Sequence, residues 1–343
     1  MKINFLLPHL KASGGVSVSL TFAHKLAERG HQVIVAIENR KLLSRLYRNF
    51  LGRHPLVHKN SKLKLLMVNE FKDLPPADIF VADSWQVALK LSKIKTRGVK
   101  FQYLQHDERM YHGDPEEVAA VFRLPLIKLV NATWIQRMLK KDFNYDADTL
   151  FNSVDCDLFN PDKRDRSPDD HDIRVLVLHH DYEWKGTTAG VEIVQNLKKK
   201  YPNVKLILFG TRQEKIDYPC DEYHYNSFNE DLAKLFANGD IYIGSSLNDS
   251  RAVLHRWMMA SGCAMAIYDN VSSDEYAFDG GTALVAKINN VADLSNKVEE
   301  LIVNPELRKS IAGEALDFVR QLPTWEEMTD KLENIFKEAI KTK

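Results

Sequence analysis

The chain has 343 residues, of which 44% are hydrophobic and 27% charged, and its 47 basic and 47 acidic side chains cancel. Such a length exceeds one ordinary domain and predicts two cores, while the composition excludes disordered, collagenous and disulfide-scaffold classes. Zero net charge gives no global attraction to nucleic acid or anionic lipid, so a small-molecule partner is expected and no nucleic acid. Three widely spaced cysteines, Cys156, Cys220 and Cys263, suit neither a disulfide framework nor a metal-ligand pair and point to a reducing compartment. The opening MKINFLLPHL is too short an apolar run for a signal peptide, and no stretch approaches the roughly 18 apolar residues of a membrane span. A cytoplasmic location follows as the expectation.

In chain order, Ile3 to Leu7 reads as a strand, Ser13-Gly14-Gly15 as a turn, and Val16, Leu20, Ala23 and Leu26 as one face of a helix stopped by Gly30. Val33 to Ile37 resumes an apolar run, which completes a βαβ unit. Asp78 to Ala82 and Val99 to Leu104 are further strands, Leu126 to Leu139 reads as a long helical stretch, and a short run surrounds Leu150. The polar, proline-containing stretch from Asp155 to Asp172 marks a linker. A second series follows: strand Arg174 to Leu178, helix Thr187 to Lys199, strand Val204 to Phe209, helix Glu230 to Phe236 and strand Asp240 to Ile243. A helix ending at Ser261-Gly262 leads into strand Cys263 to Ile267, and two or three amphipathic helices fill Val291 to Ile340. The expected class is therefore α/β, with Rossmann-like parallel-sheet domains at residues 1–160 and 173–322 and a C-terminal helix at 323–343 that packs back on the first domain.

In parallel sheets of this kind ligands bind beyond the carboxyl ends of the strands. Gly14-Gly15 follows the first strand and opens a helix, so its backbone N–H groups suit a phosphate or sugar oxygen, or else form a tight turn alone; the spacing is not that of a dinucleotide site. His179-His180-Asp181-Tyr182-Glu183-Trp184-Lys185-Gly186 ends at a helix start, where Lys185 can neutralise a diphosphate leaving group or simply face water. In the loop Ser245 to Val253, backbone amides near Ser250, Arg251 and Ala252 could bind phosphate and Asp249 could accept sugar hydroxyls, unless the loop is a plain N-cap. His106 ends a strand and should point into a cleft, with a structural role the alternative. The twelve histidines are scattered without an H-x-x-x-H pair and carboxylate, so no metal site is expected.

Four stretches, GGVSVSLTFAHKLAERGHQVIV from Gly14, Arg123 to Pro161 ending FNSVDCDLFNP, WKGTTAGVEIVQNLKKKYPNVKLILFG from Trp184, and Met259 to Ala286 with DEYAFDGGTALVA, span nearly the whole chain. In order and spacing they resemble the GT-B glycosyltransferases of glycosyltransferase family 4, particularly bacterial members that build surface polysaccharides, some of which transfer rhamnose. The resemblance implies two Rossmann-like domains facing across a cleft and a retaining, metal-independent transfer from a nucleotide-sugar donor to a glycan or lipid-linked acceptor, without a cofactor. It places Gly14 and Gly15 near the phosphates, His180 and Lys185 on them, and His106 near the transferred sugar. Departures fall in the donor motif. The family's two glutamates, with seven residues between them, are here Asp249 and Trp257, and an indole cannot accept the ribose hydrogen bonds of the second. His180 stands for the usual arginine, Asn152-Ser153-Val154-Asp155 for Asn-Gly-Val-Asp, and Arg251 lies where small or apolar residues are usual.

Two functions compete: an active transferase with His106, Lys185 and Asp249 catalytic, and a catalytically degenerate binding or scaffold partner of an active enzyme. A nucleotide-sugar epimerase is disfavoured by the lack of a paired acid and base. The basic, leucine-interleaved segment at residues 40–64 offers a peripheral contact with an anionic membrane at its inner face, or else a solvated helix or a basic acceptor groove.

Overall fold

The computed structural model describes residues 1–11, 14–39, 62–110, 113–167, 169–249 and 253–343. The chain divides into two compact units, Met1–Asn152 with Pro323–Lys343, and Ser153–Leu322.

The first unit is built on a parallel sheet in the order β3-β2-β1-β4-β5-β6-β7. Its strands are β1 (Lys2–Leu6), β2 (Gln32–Glu38), β3 (Lys64–Val68), β4 (Ile79–Ala82), β5 (Val99–Leu104), β6 (Ile127–Val130) and β7 (Asp148–Thr149). Helices α1 (Gly14–Glu28), α2 (Trp85–Lys93), α3 (Pro115–Phe122) and α4 (Thr133–Phe143) alternate with them, and α10 (Trp325–Lys341) returns from the chain end. α1 stops where Gly30 takes φ +89° and its N–H reaches Ala27 O, while His31 N–H reaches Leu26 O, a pair of bonds that satisfies the last carbonyls. α10 opens with a reciprocal capping box between Thr324 and Glu327 and buries Met328, Leu332 and Phe336. Its Phe336 ring meets Phe101 of β5 at 4.9 Å, and Trp325 meets Phe22 of α1 edge-on at 5.1 Å.

One expectation fails here. The stretch from Leu126 to Leu139 is not one helix: Ile127–Val130 is a strand paired in parallel with β5, Phe101 opposite Ile127, and only Thr133 onward is helical. The four residues Ile127-Lys128-Leu129-Val130 are too few to carry a period that separates a strand from a helix turn, and Asn131 breaks the two apart. The short strand β3 and helices α2 and α3 leave no signal in the sequence for want of a long periodic window, while β7 lies at the short run around Leu150.

The second unit carries a six-stranded parallel sheet in the order β10-β9-β8-β11-β12-β13. The strands are β8 (Ile173–Leu178), β9 (Val204–Gly210), β10 (Glu222–Tyr225), β11 (Ile241–Gly244), β12 (Ala264–Tyr268) and β13 (Leu284–Ala286). The helices are α5 (Thr187–Lys200), α6 (Asn229–Ala237), α7 (Val253–Ala260), α8 (Val291–Val303) and α9 (Pro305–Arg320). Both faces of the sheet are covered by separate apolar clusters, one including Val175, Val194, Leu206, Ile243 and Leu301, the other Leu176, Phe236, Met258 and Met265. Successive residues of one strand, Leu176 and Val177, thus enter opposite cores, as a doubly covered sheet requires. Residues 153–160, assigned to the first domain on sequence, fold onto this second unit, because Phe159 lies in its core with its ring flat on Trp257 at 4.8 Å. The polar stretch after it is likewise held: Arg166 bonds Asp170 and Asp240, whose carboxylate also accepts Arg174 N–H.

Candidate functional site

Each sheet has one place where strand order reverses, and there two neighbouring strand ends send their loops apart and leave a crevice. In the second unit that place lies between β8 and β11. The β8 loop runs through His179 and His180 to a 3-10 turn, Glu183–Lys185, and the β11 loop runs from Ser245 to Asp249. Lys185 Nζ donates to Asp249 Oδ1 at 2.6 Å, so an ion pair spans the crevice, each side chain less than one fifth exposed. Backbone and hydroxyl bonds clamp the two loops together: Leu247 N–H donates to Trp184 O at 2.8 Å and Ser245 Oγ–H to Gly186 O at 2.8 Å. Gly186 starts α5 at φ +70°, and a Cβ there would stand 2.2 Å from Ser245 O, so only glycine allows the close approach.

His180 is anchored in the same loop. Its N–H donates to Thr187 Oγ1, whose hydroxyl reaches Leu178 O, and Tyr182 N–H donates to its Nδ1 at 3.1 Å. Burial, then the Arg212 charge, lowers its pKa to about 4; Asp181 opposes this and Lys185 adds to it. The ring is therefore neutral at pH 7 in the free chain. Beneath Asp249 lies a polar layer that sequence reading missed. His255 Nδ1 and the Tyr276 hydroxyl are 2.6 Å apart and buried, and the Asp249 charge acts on both and on Tyr242. Burial lowers His255 to about 4. Trp257 lies on α7 with its indole stacked on Phe159, committed to packing. Ser250, Arg251 and Ala252 lie outside the described residues.

The first unit's reversal is between β1 and β4. Asp83 follows β4 there, and Gln105, just past β5, donates from Nε2 to Asp83 Oδ1 at 2.7 Å and to Gly15 O at 3.0 Å. Burial raises Asp83 to about 7 against the hydrogen bonds from Gln105 and Ser19. Glu108 is buried, accepts Trp85 N–H at 2.7 Å, and rises to about 8 through burial, with Asp83 and Asp107 charges adding to it. Gly14 and Gly15 open α1, and a Cβ on Gly15 would press on Gln105 at 3.3 Å. His106 is half-buried in the turn between Gln105 and Asp107. The sequence reading named the two glycines and His106 but missed Asp83, Gln105 and Glu108; position just after a short strand was the available signal. Among the described residues no group of three His, Cys, Asp or Glu is placed to hold a metal ion. None of the described helices is long and apolar enough to cross a membrane. Of the basic segment, residues 40–61 lie outside the description; Lys62 precedes β3 and Lys64 begins it.

Residues 159–317 match the family model described as Glycosyl transferases group 1. An uncharacterized glycosyltransferase of Methanocaldococcus jannaschii is 24% identical over 194 residues, an alignment that covers 52% of this chain and 48% of the relative. The chain thus matches about half the length of that curated relative. Anabaena HepE, crystallised with UDP and glucose, superposes with a TM-score of 0.76 at 14% identity over 98% of this chain and 99% of its own. Sucrose-phosphate synthase of Thermosynechococcus elongatus gives 0.78 at 11% identity over 100% of both chains. The likeness in structure establishes the GT-B fold, and the family match lies within the second unit.

Proposed function

We propose that this protein is a glycosyltransferase that holds a nucleoside-diphosphate sugar on its second unit and transfers the sugar to a glycan or lipid-linked acceptor. The observation that carries the reading is the Lys185–Asp249 pair spanning the β8–β11 crevice of a glycosyltransferase group 1 domain. When the bond between the anomeric carbon and the diphosphate breaks, negative charge grows on the leaving oxygen. A cation fixed at a strand end lowers that barrier, because its alignment is already in place before reaction. Lys185 supplies the cation, the amide groups at the start of α5 add partial positive charge, and Asp249 accepts hydrogen bonds from sugar hydroxyls. His180 lies beside the diphosphate and takes up a proton as it binds, and family resemblance gives Gly14, Gly15 and His106 a part in substrate binding. HepE, bound to UDP-glucose in a further crystal structure, supports the donor class. Retention of the anomeric configuration and a place in surface polysaccharide synthesis, with contact to anionic lipid through residues 40–64, complete the proposal from family resemblance.

A thermal-shift panel of UDP-, GDP-, dTDP- and ADP-sugars tests it, since a ligand at 100 times its dissociation constant adds about 2.7 kcal/mol. Lys185→Ala should abolish the shift and Lys199→Ala, on the exposed end of α5, should not. A charge-assisted phosphate contact is worth about 1.5 to 3 kcal/mol. Equal donor affinity in the two variants removes Lys185 from the site. One observation favours a binding or scaffold role: the indole of Trp257, at the family's second carboxylate position, is packed on Phe159. No shift with any donor, from protein that melts cooperatively, decides for that role.

A further inference from the structure

Beside the ion pair, the β8 loop carries a ladder of rings and cations. Lys185 Nζ lies 4.4 Å from the centre of the Trp184 ring, which stacks on Tyr182 at 5.6 Å with an interplanar angle of 25°. The Arg212 guanidinium, in the loop after β9, lies over the Tyr182 ring, 5.4 Å from its centre, and Asp181 holds its Nε at 3.7 Å. His180 leans on Tyr182 at 4.7 Å. The ladder therefore runs from the β8–β11 crevice toward β9. Tyr182 is 40% exposed, the most exposed ring of the ladder.

We infer that Tyr182 is the stacking platform for the base of the donor nucleotide, with Arg212 beside the edge of the base; this rests on the diphosphate lying at Lys185. A nucleotide presents a flat, polarisable ring one ribose away from its phosphates, and the ladder presents the Tyr182 ring separated from the phosphate cation by the Trp184 indole. Stacking on a tyrosine tolerates every base because each has a π-face, while an arginine at the edge prefers bases with carbonyl oxygens, as in uracil, thymine or guanine. The pre-ordered Trp184 fixes the platform, so little side-chain freedom is lost on binding.

The test compares dissociation constants of UDP, GDP, dTDP, ADP and inorganic pyrophosphate by calorimetry in wild type, Tyr182→Ala, Tyr182→Phe and Arg212→Ala. Wild type should bind the nucleotides well above pyrophosphate. Tyr182→Ala should lose between about 5-fold and 150-fold for nucleotides and nothing for pyrophosphate, the range that one base–aromatic stack is worth. Tyr182→Phe should keep wild-type affinity, and Arg212→Ala should narrow the gap between UDP and ADP. Unchanged nucleotide affinity in Tyr182→Ala, or an equal loss for pyrophosphate, overturns the stacking role while leaving Lys185 as the phosphate site. Wild-type protein that binds neither nucleotide nor pyrophosphate overturns both.

Discussion

His180 shows at the scale of one side chain how a single substitution changes the chemistry of a site. An arginine there would remain charged at any working pH, whereas burial and the Arg212 charge hold this imidazole at about 4 and neutral. A raised pKa can therefore come only from the donor diphosphate itself, whose negative charge favours the imidazolium. The chain should take up a proton on binding wherever the pH lies between the free value and the bound value. Donor affinity should accordingly fall as pH rises from about 6 through the bound-state pKa. His180→Arg should bind tightly with a flat profile and His180→Ala weakly with a flat profile. Calorimetry in two buffers of different ionisation enthalpy counts the proton directly, and zero uptake at pH 6 ends the cationic role for His180.

At the scale of an element, the turn into α5 is what sets Lys185 in place. Gly186 combines a left-handed φ with a close contact to Ser245 O, whereas Gly280 has a similar φ of +76° and nothing within 4 Å of its missing Cβ. The two substitutions to alanine separate these causes. Gly280→Ala should cost about 1 to 2 kcal/mol, the left-handed penalty alone. Gly186→Ala should cost clearly more, because a clash with the β11 loop is added and the loop that carries Asp249 must shift. Urea unfolding of the two variants gives the difference; equal midpoints would mean that the loops can separate freely.

For the whole molecule, buried ionisable groups give the two units opposite responses to pH. In the second unit His255 and His180 are depressed to about 4, so the unfolded chain binds more protons there and stability is lost as pH falls from about 6.5 through 4. For a fully buried histidine such as His255 the loss reaches about 3 kcal/mol. In the first unit Asp83 and Glu108 are raised to about 7 and 8, so the folded form binds more protons and stability is lost as pH rises from about 4 through 8. Amide hydrogen exchange should therefore show peptides of the first unit opening more readily at pH 8.5 than at pH 6, after correction for intrinsic rates. Peptides of the second unit should open more readily at pH 4.5 than at pH 7. Glu108→Gln should reduce the alkaline loss to the part due to Asp83, and a first unit indifferent to pH between 6 and 8.5 would mean that its carboxyls ionise without cost.

The sequence by itself determined the alternation of strands and helices, the long helices with clean apolar faces, the glycine stop at Gly30 and the strand-end positions of Lys185 and Asp249. All are local or periodic properties that one segment expresses without its neighbours. Only the tertiary structure decided that Lys185 and Asp249, 64 positions apart, meet at 2.6 Å. That contact depends on β11 lying next to β8, and strand order is a property of the whole sheet. Tertiary structure also made a strand of Ile127–Val130, since pairing with β5 decides the state of a segment too short to carry a period of its own. It likewise made Asp83 and Glu108 unusual acids, because desolvation comes from surrounding elements and leaves no mark in the order of residues.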